Sequence, residues 1–245
     1  YLIKLKNLIK KFNFSQVYDL QNSSRTSFYR KFLFNIPKWS STETTLKKGE
    51  NKKNFDKDSV LKRFEIQLSS SGIKTKHTIK PDFSWSIVNI DKIINKYLNG
   101  KFILIFPFCS PKLSHKKWPY YNELIEIIKK EHPNLDIVIA PGPDEIEESK
   151  QFNAISITEK NKSINLTQLA GLINKSSYVI ANDTGPAHMA AHLGKKGIVI
   201  FGHHTTPEKV SIETEKYKAI TIDKLENLTA QKVYQEAKEE IKLIN

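Results

Sequence analysis

After Gly100 the chain carries four short stretches that are almost wholly apolar: Phe102–Phe106 (FILIF), 135–140 (LDIVIA), 178–181 (YVIA) and Gly197–Phe201 (GIVIF). A strand wetted on one side alternates apolar and polar residues, whereas a strand apolar on both sides must be covered on both. Segments with apolar residues at helical spacing separate these stretches, at 120–131, from about 144, at 166–174 and at 186–193. Strands of this kind alternating with helices specify a parallel sheet between two helical layers. Residues 101–228 are therefore expected to form a Rossmann-like α/β domain, with an edge strand at 217–222. A closing helix is expected over 229–241 within a C-terminal segment 229–245.

Residues 1–100 read differently and are assigned to a separate first domain. The spacing predicts a helix over 1–12, a short strand over 16–21 and a helix from Ser24 to Phe34. A polar, lysine-rich mobile loop is expected over 40–58, then a helix that ends near Gly72, an irregular stretch over 73–86, and a helix over 91–98. The charge divides in the same place. Residues 1–100 hold 20 Lys+Arg against 8 Asp+Glu, a net +12, and residues 101–245 hold 19 against 18, a net +1. The cations are 36 Lys and only 3 Arg, so the bidentate base reading typical of sequence-specific nucleic-acid binders is not expected. A lysine-rich face suits an anionic lipid surface or a phosphorylated acceptor, and it equally suits a merely solvated surface.

Other classes are bounded more simply. The longest apolar run, 102–108, is seven residues, against the roughly 20 that a membrane-spanning helix needs. One cysteine, Cys109, allows no internal disulfide and no CxxC zinc site, which fits a reducing cytoplasm. The chain begins with Tyr1 and is read as part of a longer protein.

Ligands of open parallel sheets collect where strands end, and four strand ends carry suggestive residues. The loop 107–119 supplies Ser110, Lys112 and Lys116, hydroxyl and cationic groups of the kind a diphosphate needs; it also reads as a basic loop stapled by Trp118. The stretch 141–148 offers Glu145, with Glu147 as the alternative, either to accept ribose hydroxyls or simply to complement a helix dipole. In 182–188 (NDTGPAH) a strand ends at Asp183, Gly185 permits close approach, Pro186 can open a helix, and His188 projects from its first turn. The alternative there is that Asp183 or Thr184 only caps the helix. The fourth, 202–207 (GHHTTP), could close over a ligand or be a polar turn. His188 and His192 lie four apart, but HMAAH lacks the Glu of HExxH and has no third ligand placed, so no metal is expected.

Taken in order, FPFCSPKLSHKKWP, IVIAPGPDE, NLTQLAGLINKSSYVIANDTGPAHMAAHLG and GIVIFGHHTTPEK resemble glycosyltransferase family 9, the ADP-heptose:lipopolysaccharide heptosyltransferases. DTGPAH with its preceding strand carries most of the likeness and KxWP at 116–119 supports it. A fainter likeness covers 17–27. The resemblance implies a GT-B architecture of two Rossmann-like domains, the first incomplete, with the donor on the second domain, the acceptor on the first and the site in the cleft between them. It implies inverting, metal-independent transfer of a heptose or related sugar from an ADP-sugar to an anionic lipopolysaccharide core, with no cofactor, in the cytoplasm or on the inner face of the inner membrane. Ser110, Lys112 and Lys116 would meet the diphosphate or sugar, with Lys116 stabilising the leaving group. Glu145 would lie near the ribose and the backbone of Ile164 beside the adenine. Asp183 would hold sugar hydroxyls, while Thr184, Gly185, Pro186 and His188 would form the turn that faces the diphosphate. The family's catalytic base is an Asp in a Gly-Asp pair near the start of its first domain. No such pair occurs here, so the resemblance implies that the base lies upstream of Tyr1. Two rival functions are another GT-B enzyme acting on a UDP-sugar and a non-catalytic nucleotide- or surface-binding domain.

Overall fold

The computed structural model describes residues 1–33, 38–98 and 100–244. They form two compact units, Tyr1–Pro81 and Asp82–Asn245.

The second unit is built on a six-stranded sheet of β3 (Phe102–Phe106), β4 (Asp136–Ile139), β5 (Ile155–Ser156), β8 (Tyr178–Asn182), β9 (Gly197–Phe201) and β10 (Tyr217–Thr221). Their spatial order is β10-β9-β8-β3-β4-β5 and every pairing is parallel. Counted along the chain within this sheet, the order is 6-5-4-1-2-3, the doubly wound arrangement. The winding direction reverses between β3 and β8, so a crevice opens beyond their carboxyl ends.

Successive side chains of a strand point to opposite faces, and here each face has its own core. Ile103 and Ile105 of β3 pack with Leu124, Ile125 and Ile128 of α7 (Tyr121–Glu131) and with Val233, Tyr234 and Ile241 of α12 (Ala230–Lys242). Phe102, Leu104 and Phe106 pack on the other face, with Leu169, Leu172 and Ile173 of α9 (Leu166–Lys175) and Ala187 and Ala190 of α10 (Gly185–His192). The segment expected to close the first domain belongs to this second core. Ile90, Ile93, Ile94 and Leu98 are buried in it, with Ile93 and Ile94 on the single-turn helix α6 (Asp91–Ile94). The division therefore falls at Pro81 rather than at 100, because the apolar residues of 90–98 have their partners under β3. The final helix likewise packs within this unit.

Smaller elements complete it. These are a 3-10 stretch Pro111–Lys116, the one-turn α8 (Ile146–Ser149), the antiparallel pair β6 (Thr158–Glu159) and β7 (Lys162–Ser163), and α11 (Pro207–Val210). The helix expected from about 144 is thus a single turn.

The first unit holds α1 (Leu2–Phe12), β1 (Gln16–Tyr18), α2 (Ser24–Phe28), which runs on as a π-helical turn over Tyr29–Leu33, and β2 (Lys38–Ser40). The expected end of the second helix at Phe34 lies outside the described residues. β1 and β2 pair in parallel. Instead of one loop, 40–58 contains α3 (Thr42–Thr45) and α4 (Lys52–Phe55), followed by α5 (Val60–Ser70). Ser41 and Asn51 cap the two short helices with side-chain oxygens, which a count of lysines does not reveal. Buried Gln67 of α5 holds the strand ends together. Its amide donates to the carbonyls of Asp19 (2.9 Å) and Ser40 (3.0 Å), and its Oε1 accepts from Asn22 (2.9 Å). This unit carries 18 Lys+Arg against 6 Asp+Glu, so the whole +12 lies on it. No helix among the described residues is long and apolar enough to cross a membrane.

Candidate functional site

The site grows from one polar residue at the end of an apolar strand. β8 closes on Asn182, which is fully buried. Its Oδ1 accepts from the Trp118 amide and from the Tyr121 hydroxyl, each at 3.1 Å. Its Nδ2 donates to the carbonyls of Pro107 (3.0 Å) and Phe108 (3.4 Å). Asn182 thereby ties the loop after β3 to the end of β8, across the place where the winding reverses. Trp118 anchors the far end of that loop. It is buried, its Nε1 donates to the Leu228 carbonyl at 2.8 Å, and its ring meets Tyr121 edge-on at 4.9 Å.

The next residue, Asp183, collects three cationic or imidazole groups from two other loops and from α10. Lys116 Nζ lies 2.6 Å from Oδ2, His204 Nε2 lies 2.9 Å from Oδ2, and His188 Nε2 lies 3.5 Å from Oδ1. Burial alone would raise the Asp183 pKa. The bonds from His188, Lys116 and His204 outweigh it and hold the carboxyl well below the usual range. His204 shows the opposite balance: burial lowers its pKa, against the pull of Asp183. In its neutral form the ring carries its proton on Nε2, because the carboxylate oxygen can only accept.

Beside this cluster lies a cavity of about 400 Å³ whose wall includes Ser110, Glu145, Ile164, Thr184, Gly185 and Pro186. Phe106, Phe108 and Leu169 add apolar surface to its lining. The first turn of α10 borders it. Thr184 occupies the N-cap position but makes no side-chain capping bond; its hydroxyl donates to the Asn182 carbonyl instead, at 3.3 Å. Asp183 does not cap the helix either, so the simple capping alternative fails. The first helix amides stay open, on the positive end of the helix dipole. A Cβ built on Gly185 would meet nothing within 4 Å, so that side of the backbone is open to approach.

The expected residues fall into three groups. Ser110, Glu145, Ile164, Thr184, Gly185 and Pro186 share the cavity, and Lys116, Asp183 and His188 form the neighbouring cluster. Lys112 stands apart, exposed on the 3-10 stretch with no ion pair among the described residues. Of the two glutamates, Glu145 lines the cavity. Its Oε2 accepts from the Gly142 amide at 2.7 Å, and burial raises its pKa even against that bond. Glu147 is exposed and pairs with Lys150. His192 packs its ring against Phe83 at 6.2 Å. Two residues of this site were not singled out by the sequence reading. Asn182 is a polar residue inside an apolar run, a visible signal. His204 stands 21 positions from Asp183, and only the neighbouring ends of β8 and β9 bring them together.

The glycosyltransferase family 9 (heptosyltransferase) model matches residues 2–240. The lipopolysaccharide core heptosyltransferase OpsX of Haemophilus influenzae is 32% identical over 109 residues, which are 42% of this chain and 31% of that protein. The match thus spans about a third of the curated relative. Among solved structures, E. coli heptosyltransferase WaaC with ADP superposes with a TM-score of 0.66 at 18% identity, covering 98% of this chain and 77% of that one. E. coli ADP-heptose lps heptosyltransferase II gives 0.71 at 16%, covering 99% and 81%. These likenesses place the α/β, parallel-sheet fold with the GT-B glycosyltransferases. A family match over nearly the whole length, on this fold, makes the chain a member of glycosyltransferase family 9, the heptosyltransferase family.

Proposed function

We propose that the cavity and the Asp183 cluster bind the donor of an inverting transfer of heptose from an ADP-sugar to a lipopolysaccharide core. The observation that carries this is the meeting of Lys116, Asp183, His188 and the open amides of α10 beside one cavity at the switch point of the sheet. The solved WaaC structures with ADP and with ADP-2-deoxy-2-fluoro heptose supply the ligand class.

In this reading the adenine enters the apolar depth beside Ile164, and the ribose hydroxyls reach Glu145. The diphosphate lies over Thr184, Gly185 and His188, with Ser110 at the mouth and Lys112 free to swing in. Asp183 repels phosphate, so its partner is a sugar hydroxyl, at the Oδ1 that only the longer His188 contact occupies. A general base takes the proton of an acceptor hydroxyl as its oxygen attacks the sugar carbon and the bond to the diphosphate breaks, and Lys116 with the helix amides stabilises the charge growing on the leaving group. These groups do electrostatically what a divalent cation would otherwise do, so the reaction needs no metal and no cofactor. The +12 of the first unit faces an anionic glycolipid acceptor at the inner face of the inner membrane.

Calorimetric titration tests the donor site. ADP should bind and UDP should bind more weakly, and Lys116→Ala in the complete enzyme should lower turnover by about 10²–10³. A preference for UDP, or wild-type turnover in that variant, overturns the assignment.

A further inference from the structure

Lys116 rests with its ammonium 2.6 Å from Asp183 Oδ2, and turning it toward a leaving diphosphate draws it away from that oxygen. If it moves, a carboxylate that is almost wholly buried loses its shortest contact. The structure already holds a second donor on the same oxygen. His204 Nε2 lies 2.9 Å from Oδ2 on a side chain that is itself 9% exposed. The ring is fixed on three sides. It stacks on Phe201 of β9 (14° between planes, 6.0 Å between centroids), meets His115 edge-on at 5.4 Å, and lies with Nδ1 close to Gly202. Nδ1 is buried and has no hydrogen-bond partner among the described residues. An imidazole held this way, with one nitrogen unpartnered, is placed for the bond made by the other.

We propose that His204 is a positioning residue that retains Asp183 when Lys116 transfers from the carboxylate to the donor diphosphate. This rests on the donor-site reading above. In the free protein Asp183 Oδ2 accepts from both Lys116 and His204. With the donor bound, Lys116 pairs with a phosphate oxygen and His204 alone keeps Oδ2 aligned, so Oδ1 still faces the sugar. The charged and titratable groups facing His204 are Asp183 from the turn after β8 and Lys116 and His115 from the 3-10 stretch. Departure of the Lys116 ammonium removes the cation that opposes imidazole protonation and leaves the carboxylate that favours it. Donor binding therefore shifts His204 toward its protonated form, against the burial that lowers its pKa.

The experiment is calorimetric titration with ADP at pH 6.5 and 8.0, in two buffers of different ionisation enthalpy, on wild type, His204→Ala and His204→Gln. Circular dichroism melts of each variant confirm the fold. Wild type should take up a fraction of a proton on binding and bind more tightly at pH 6.5. His204→Ala should bind ADP roughly tenfold more weakly, the scale of one hydrogen bond to a charged group. His204→Gln keeps an N–H donor but cannot take a proton. It should recover most of the affinity at pH 8.0 and show neither proton uptake nor tighter binding at pH 6.5. Wild-type affinity and proton uptake in both variants would overturn the role of His204 while leaving the donor site standing. Equal losses in Ala and Gln, in folded protein, would also overturn it, since only bulk would then matter. Failure of wild type to bind ADP would overturn the donor-site reading itself.

Discussion

Replacing Asn182 with Ala should cost about 3 kcal/mol of stability, far more than one strand-end side chain ordinarily does. The side chain joins four groups: the Trp118 amide, the Tyr121 hydroxyl, and the carbonyls of Pro107 and Phe108. The two donors belong to residues that are each 1% exposed, so they have no solvent to turn to. An orphaned buried donor costs about 1–3 kcal/mol, so two cost roughly 2–6. The freed carbonyls add less, and a water in the vacated space returns part of the loss. About 3 kcal/mol is a large share of a stability of roughly 5–15 kcal/mol. Urea unfolding followed through Trp118 fluorescence, with Trp39 and Trp85 replaced by Phe, isolates the response of this unit. The midpoint should fall with m unchanged. A loss under about 1 kcal/mol would refute the claim that Asn182 ties the two strand ends together.

A Cβ at Gly171 would overlap the Val88 carbonyl, so Gly171→Ala should destabilise by about 1–3 kcal/mol in thermal melts. Gly185→Ala meets open space and should leave the melt within about 0.5 kcal/mol; on the proposed seating of the diphosphate it should weaken ADP binding. Burial raises the Glu145 pKa above its unfolded value, so the charged form costs stability as pH rises through the folded pKa. Glu145→Gln should therefore melt at or above wild type at pH 8 yet bind ADP more weakly; unchanged ADP affinity would remove Glu145 from the site. Asp183 behaves in the opposite sense. Burial raises its pKa, but the His188, Lys116 and His204 bonds lower it further, so its stabilisation is present above the ordinary Asp pKa and lost as pH falls below it. Asp183→Asn should lose about 1–3 kcal/mol at pH 7 and flatten the acid limb of a stability–pH profile.

The sheet was legible because its strands are buried on both faces. FILIF, DIVI and GIVIF admit no wetted alternative, and the helices between them show their apolar stripes. β5 was missed because two residues, Ile155 and Ser156, give no periodicity. The first-domain boundary was misplaced because Ile90, Ile93 and Ile94 look the same whichever core they enter; their partners, not their spacing, decide. At the site, the strand-end rule located Lys116, Asp183 and His188, since hydroxyls, cations and glycines after apolar strands are local signals. The loss of the capping bond at Thr184 and the convergence of His204 on Asp183 are not local. They depend on which loops the 6-5-4-1-2-3 order sets side by side.

A crystal structure of this chain soaked with ADP would show where the nucleotide sits. The adenine should lie beside Ile164 in the cavity of about 400 Å³, the diphosphate over the Thr184–Gly185 amides, and Lys116 Nζ should have moved from Asp183 to a phosphate oxygen. Nucleotide seated elsewhere on the molecule, or a bound diphosphate with Lys116 still on Asp183, would contradict this placement.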